Sequence, residues 1–213
     1  MGEIKMEALP LMEAFRTIQG EGAYTGVPSF FLRIGGCDVG CHWCDVKESW
    51  DPKKHPLTTI PDILKQIDGN DKTVVITGGE PLMWDMTFIT QSLKKIGKRV
   101  HLETSGAYEY SGIWDWVCLS PKKNKPPLKE WYQRADELKI IVYNLDDLKW
   151  AEKHAEMVKE ECQIYLQPEW SKREHILPVI IKFLEKKPKW RLSLQTHKSV
   201  SYTHLRAHET RIH

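Results

Sequence analysis

Hydrophobic positions along this chain follow two alternating rhythms. Short β-branched runs read as buried strands at residues 29–36 (SFFLRIGG), 73–77 (TVVIT), 100–104 (VHLET), 116–120 (WVCLS), 138–142 (LKIIV), 163–167 (QIYLQ) and 190–195 (WRLSLQ). Longer amphipathic stretches between them read as helices from about Asp85 to Ile96, over 146–160 and over 172–187. Asp85 supplies a capping carboxylate and Gly97 a stop for the first of these. Pro178 is expected to kink or interrupt the last.

Strand followed by helix, repeated, means βαβ units and a parallel sheet. About six units fall short of the eight that close a barrel. The expected fold is therefore α/β: a partial, open TIM-like (β/α)6 barrel of mostly parallel strands, with a doubly wound sheet as the alternative. In either, chemistry collects at the carboxyl ends of the strands. The peptides TGGEP, LETSG, LSPK, LQPE and LQTHK all follow strands. Residues 1–198 read as one domain. The last fifteen, SVSYTHLRAHETRIH (199–213), have neither rhythm and read as a disordered or non-native tail.

Composition narrows the class. Hydrophobic residues make up 41% and charged residues 28% of the 213, an ordinary globular balance. A net charge of +2 is too small to point to nucleic acid. No apolar run is long enough to span a membrane, and the acid-bearing N-terminus lacks a signal-peptide core. A cytoplasmic protein is expected.

The chain has 5 cysteines, and three of them crowd into Cys37-Asp-Val-Gly-Cys41-His-Trp-Cys44, directly after a strand. Soft thiolates select zinc, copper(I) or iron–sulfur clusters. Structural zinc needs a fourth ligand, and His42, lodged between two cysteines, would strain the loop. A four-iron cluster held by three thiolates instead leaves one iron open to a small molecule. Cys118 and Cys162 lie inside apolar runs and are expected to be small core residues.

The CxxxCxWC loop, with Gly78-Gly79-Glu80-Pro81 after the strand TVVIT, resembles the radical S-adenosylmethionine superfamily. Adding Glu13-x-Phe15-x-Thr17-Ile18-Gln19-Gly20-Glu21-Gly22, LETSG, SPK, QPE and LQTHK, the chain resembles the 7-carboxy-7-deazaguanine synthase family over residues 10–198. The resemblance implies a [4Fe-4S] cluster that cleaves S-adenosylmethionine reductively. The resulting 5′-deoxyadenosyl radical takes hydrogen from 6-carboxy-5,6,7,8-tetrahydropterin. Ring contraction with loss of ammonia then gives 7-carboxy-7-deazaguanine, a precursor of queuosine. Such an enzyme is a carbon–nitrogen lyase and commonly a homodimer. It draws electrons from a reductant such as flavodoxin or ferredoxin.

The same resemblance implies the site. Cys37, Cys41 and Cys44 would hold the cluster. His42, Trp43, Cys44, Asp45, Gly78, Gly79, Glu80, Ser120, Pro121, Lys122, Gln167, Pro168 and Glu169 would meet S-adenosylmethionine, with Glu80 adding negative charge near its ammonium. Ile18, Gln19, Gly20, Arg33 and Thr77 would face the pterin, Arg33 offering a planar fork to its carboxylate. No side chain is assigned to catalysis beyond cluster and cofactor. One departure concerns Mg²⁺: the family's hydroxyl ligand, two places after the last cysteine, is here Val46. Two rivals follow from the same residues. One is a radical S-adenosylmethionine activase of a glycyl-radical enzyme; the other is a zinc-stabilised binding module.

Overall fold

The computed structural model describes residues 7–199. The elements, in order, are β1 (Ala8–Ile18), β2 (Pro28–Ile34), β3 (Leu57–Thr59), α1 (Ile60–Leu64), β4 (Thr73–Gly78), α2 (Thr87–Lys95), β5 (Arg99–Thr104) and β6 (Trp116–Leu119). Then come α3 (Glu130–Arg134), β7 (Glu137–Val142), α4 (Asp146–Ala155), β8 (Gln163–Pro168), α5 (Arg173–Lys186), β9 (Trp190–Leu192) and α6 (Thr196–Ser199).

All strands join one sheet in the order β3-β1-β2-β4-β5-β6-β7-β8-β9. From β2 through β9 the neighbours run parallel. At the other edge β1 runs antiparallel to both β2 and β3. Six of the seven parallel strands lead into a helix; β5 alone returns through a helix-free segment. The fold is thus the open, mostly parallel (β/α)6 arrangement expected. Among the described residues, no helix is long and apolar enough to cross a membrane.

The sheet's alternation separates two environments. Leu32, Ile34, Val74, Ile76, Val100, Leu102, Val117, Leu119, Leu138, Ile140 and Leu166 form the core with residues from the helices. Their neighbours one position away, including Arg33, Thr77, Glu103, Lys139 and Gln167, line a cavity on the opposite face. The open side is bridged locally. Thr196 donates from N (3.0 Å) and Oγ1 (2.9 Å) to Gly20 O, and Gly22 N donates to Ser193 Oγ at 2.9 Å.

Several local expectations need adjustment. β1 and the short α1 and α3 carried too weak a rhythm to be read. The helix expected over 146–160 stops at Ala155, and the run 190–195 pairs only through Leu192. Pro178 does not interrupt α5, which runs unbroken from Arg173 to Lys186. It sits early in the helix, where its missing N–H forfeits only the bond to Glu174 O. The N-cap of α2 is Met86 rather than Asp85, which lies one residue earlier, its Oδ1 accepting from Thr87 N at 2.8 Å.

Candidate active site

A cavity of about 320 Å³ opens at the carboxyl ends of the parallel strands. The cysteine loop forms one wall. Its turn is set by Cys44 N donating to Cys41 O (3.1 Å), and its base by Cys37 N donating to Trp50 O (3.1 Å). Asn124 Nδ2 clamps it from above through Gly40 O at 2.7 Å, and Lys125 pairs with Asp38 at 2.8 Å. Cys37, Cys41 and Cys44 all line the cavity and all are free thiols.

The GGEP turn lies directly behind. Gly79 N donates to Ile34 O (3.0 Å) and Glu80 N to Gly36 O (2.8 Å). A Cβ on Gly79 would come within 2.3 Å of Gly36 O and 2.9 Å of Cys37 Cβ. Only glycine allows this approach of one backbone to the other.

Glu80 lines the cavity, as expected of a residue near the cofactor, and also carries a structural load. It is only 1% exposed and its carboxylate is filled from within the chain. Oε1 accepts from Thr104 Oγ1 (2.6 Å) and Leu82 N (3.1 Å), and Oε2 from Ser105 N (2.8 Å) and Oγ (2.5 Å). Glu80 therefore ties the GGEP turn to the LETSG peptide, while it also lines the cavity. Glu169 is used in a similar way, accepting from Ser171 N (3.1 Å) and Oγ (2.5 Å).

The three thiols suit a cluster better than a single ion. Burial pushes the Cys37 thiol up to about 11 and raises Cys41 as well. Such thiols become thiolates when a metal centre compensates the charge. Among the described residues no group of three or more His, Cys, Asp or Glu is arranged to hold one metal ion. Three sulfurs around a cavity wall match a multi-iron core with one iron unligated by protein.

Magnesium fits poorly. Val46 lines the cavity and has no donor atom. Two nearby oxygens are engaged: Asp45 Oδ2 accepts from Lys198 Nζ at 2.6 Å, and Ser49 Oγ donates to Val46 O at 2.6 Å. Glu48 is exposed and does not line the cavity.

Most residues expected at the cofactor line this one space, including Trp43, Asp45, Gly78, Gly79, Ser120, Lys122, Gln167, Pro168 and Glu169. Lys122 Nζ donates to Ser120 Oγ at 2.7 Å and lies 5.7 Å from the Trp43 ring centre. Burial lowers its pKa. His42 and Pro121 are exceptions. They line a separate cavity of about 100 Å³ behind the cysteine loop, where His42 packs edge-on to Tyr143 at 5.3 Å. His42 sits between two cavity-facing neighbours in a tight turn and is carried to the outer side.

Ile18, Gln19, Gly20, Arg33 and Thr77 all line the main cavity. Arg33 Nε donates to Glu13 Oε2 at 3.0 Å, in a pair only 16% and 14% exposed. Phe15 and Phe31 stack beside it, 5.6 Å apart and 11° from parallel. A Cβ on Gly20 would lie 2.0 Å from His197 Nδ1, so the loop and the LQTHK segment interlock there.

Sequence reasoning left several cavity residues without a role: Glu21, Glu103, Lys139, Gln195, His197 and Trp170. Glu103, Gln195 and His197 lie in peptides already singled out. Lys139 had no local signal, being a lone charge inside an apolar strand.

The sequence matches the Radical SAM superfamily over residues 32–117. It is 57% identical to the 7-carboxy-7-deazaguanine synthase of Flavobacterium psychrophilum, across 91% of this chain and 92% of that protein. To the 7-carboxy-7-deazaguanine synthase of Synechocystis sp. it is 44% identical, across 93% and 95%. The crystal structure of QueE from Escherichia coli superposes with a TM-score of 0.79 at 32% identity, covering 89% of this chain and 95% of that one.

Proposed function

The chain belongs to the 7-carboxy-7-deazaguanine synthase family of radical S-adenosylmethionine enzymes, and on that premise we propose how its residues divide the work. It converts 6-carboxy-5,6,7,8-tetrahydropterin to 7-carboxy-7-deazaguanine with loss of ammonia, using a [4Fe-4S] cluster and S-adenosylmethionine. The observation that carries this reading is convergence. The three cysteines and the TIQGEG, GGEP, LETSG, SPK, QPE and LQTHK peptides all contribute to one cavity of about 320 Å³. That volume suits a cofactor and a small substrate, within the roughly 300–1,000 Å³ usual for such sites.

Cys37, Cys41 and Cys44 hold the cluster. When bound, cluster and S-adenosylmethionine supply the reductive cleavage that initiates hydrogen abstraction. The chain's own residues bind, orient and exclude water. Backbone at Gly78 and Gly79, with Trp43, Asp45, Ser120, Lys122, Gln167, Pro168 and Glu169, borders the cofactor. Glu80 acts indirectly by fixing the turn. His42 and Pro121 line the outer cavity and flank the cofactor wall from behind. Arg33, shared with Glu13, offers its remaining N–H groups to the substrate carboxylate, and Gln19 and Thr77 flank the ring.

We further assign the single domain to residues 1–198; residues 200–213 of the expected tail lie outside those described. A homodimer, a flavodoxin- or ferredoxin-type reductant and a cytoplasmic setting follow from the family resemblance.

The test is anaerobic incubation of the reconstituted protein with S-adenosylmethionine, a low-potential reductant and the pterin, followed by mass spectrometry. Formation of 7-carboxy-7-deazaguanine is expected. S-adenosylmethionine cleavage with no pterin product would overturn the assignment in favour of another radical reaction.

A further inference from the structure

Five polar side chains from four separate parts of the chain close a chain of contacts at the cavity floor. Gln19 Nε2 donates to Glu103 Oε1 at 3.1 Å, and Lys139 Nζ donates to Glu103 Oε2 at 2.9 Å. The same ammonium donates to Glu21 Oε2 at 2.7 Å, while Glu21 Oε1 accepts from Gln195 Nε2 at 2.9 Å. Glu21 N returns to Gln19 Oε1 at 3.2 Å. All five line the cavity, yet Lys139 itself is only 4% exposed.

The charge count here is uneven. One ammonium serves two carboxylates, and Glu103 keeps 21% of its side chain open. Two carboxylate oxygens offer about four acceptor sites; on Glu103 the protein fills two with N–H donors, and the weak Cys118 thiol donor also points there. An excess of acceptors facing a cavity calls for N–H donors on the ligand. The pyrimidine half of a pterin carries such donors, a ring N–H beside an amino group. We propose that Lys139 is a positioning residue for the pterin: its ammonium, bridging Glu21 and Glu103, fixes Glu103 as a charged acceptor at the cavity floor. The proposal rests on the pterin reading above.

Other groups face Lys139 from every side. Glu137 is two residues earlier on β7, Cys118 lies on β6, and Lys122 and His197 approach from the loops above. Glu137 is occupied elsewhere, accepting from Ala23 N (3.0 Å) and Trp116 Nε1 (3.3 Å). Burial alone would push Lys139 down; Cys118, Glu103, Glu21 and Glu137 outweigh it and hold it well above its ordinary value. Burial likewise opposes ionisation of Glu21, but Lys139 brings it down to about 2. Without the ammonium, two close buried carboxylates share a proton, and one of them titrates near neutrality.

The experiment uses the anaerobically reconstituted full chain as wild type, Lys139→Arg, Lys139→Met and the double variant Lys139→Met/Glu103→Gln. KM for the pterin is measured from about pH 6 to 8.5, and Glu carboxyl resonances are followed by ¹³C NMR. Wild type and Lys139→Arg should give a KM flat to within about threefold. Lys139→Met should raise KM at least about tenfold near pH 6 and fall back toward wild type as pH rises, because the shared proton leaves. It should also gain one titrating Glu resonance, lost again in the double variant. A Lys139→Met profile parallel to wild type, or no new resonance, overturns the proposal. If wild type makes no product, the pterin reading fails, and the NMR arm still decides whether Lys139 controls Glu103.

Discussion

Glu80 Oε1 accepts a 2.6 Å hydrogen bond from Thr104 Oγ1, joining the end of β4 to the end of β5 behind the cysteine loop. With the two donors of Ser105 and the amide of Leu82, this carboxylate serves four groups in a setting that is 1% exposed. Glu80→Gln places an amide NH₂ where donors already point. Each orphaned buried donor costs about 1–3 kcal/mol, so a net loss of about 2–4 kcal/mol is expected. Urea unfolding of the apoprotein measures it. A loss below about 1 kcal/mol would mean the turn does not depend on this clamp.

Arg33 and Glu13 test substrate recognition. Arg33→Lys keeps the charge but loses the planar fork that can serve Glu13 and a ligand carboxylate together. Pterin binding should weaken by about 1–3 kcal/mol, roughly 5- to 150-fold in Kd. S-adenosylmethionine cleavage without pterin should continue. Equal pterin affinity in wild type and variant would remove Arg33 from the substrate site.

The cluster assignment separates two kinds of cysteine. Reconstituted wild type should carry about four irons per chain. Cys37→Ala, Cys41→Ala or Cys44→Ala should each abolish S-adenosylmethionine cleavage. Cys118→Ala and Cys162→Ala should keep full iron content, because both sulfurs are buried away from the cysteine loop. Cys118 Sγ points to Glu137 Oε1 at 3.5 Å, and Cys162 belongs to the core. Iron lost from Cys118→Ala would refute the three-ligand set.

Much of this was legible in the chain. The strand TVVIT is buried on both sides, so its continuous apolar run announced it. The cysteine spacing and the peptides after each strand were equally local signals. β1 was not legible, because Glu13, Arg16 and Thr17 interrupt its apolar run on both faces and hid the strand. The Glu21–Lys139 pair spans 118 residues and exists only once β7 faces the loop after β1. The bonds from Thr104 and Ser105 to Glu80 span 24 and 25 residues, so sequence alone does not reveal that this carboxylate also clamps two strand ends.

Two buried histidines set a pH window for stability. Burial lowers His101 and His154 to about 4, from 6.5. His154 sits with Nδ1 2.7 Å from Tyr132 Oη and its ring 4.2 Å from Trp150. A base with a depressed folded pKa stays neutral in the native state while the unfolded chain takes up the proton. Stability is therefore complete above about pH 6.5 and falls as pH drops toward 4, by up to about 3 kcal/mol per histidine. Urea titrations at several pH values should show this slope, reduced in His154→Gln. An unchanged slope in that variant would mean another group controls the window.

Val46 stands where the family resemblance leads us to expect a hydroxyl ligand for Mg²⁺. Its side chain faces the cavity, and the neighbouring oxygens of Asp45 and Ser49 are already held by Lys198 and by the Val46 carbonyl. A Mg²⁺ ion demands near-octahedral oxygen donors, and position 46 contributes none. Product formation should respond to Mg²⁺ by less than about threefold. Val46→Thr restores a hydroxyl in a side chain of nearly the same shape, so Mg²⁺ stimulation should rise in that variant while iron content stays constant. The measurement is 7-carboxy-7-deazaguanine formed per 5′-deoxyadenosine, with chelator and with added Mg²⁺, for both proteins. Strong stimulation with Val46 in place would show that substrate and water alone build the site, and the hydroxyl would then be dispensable to it.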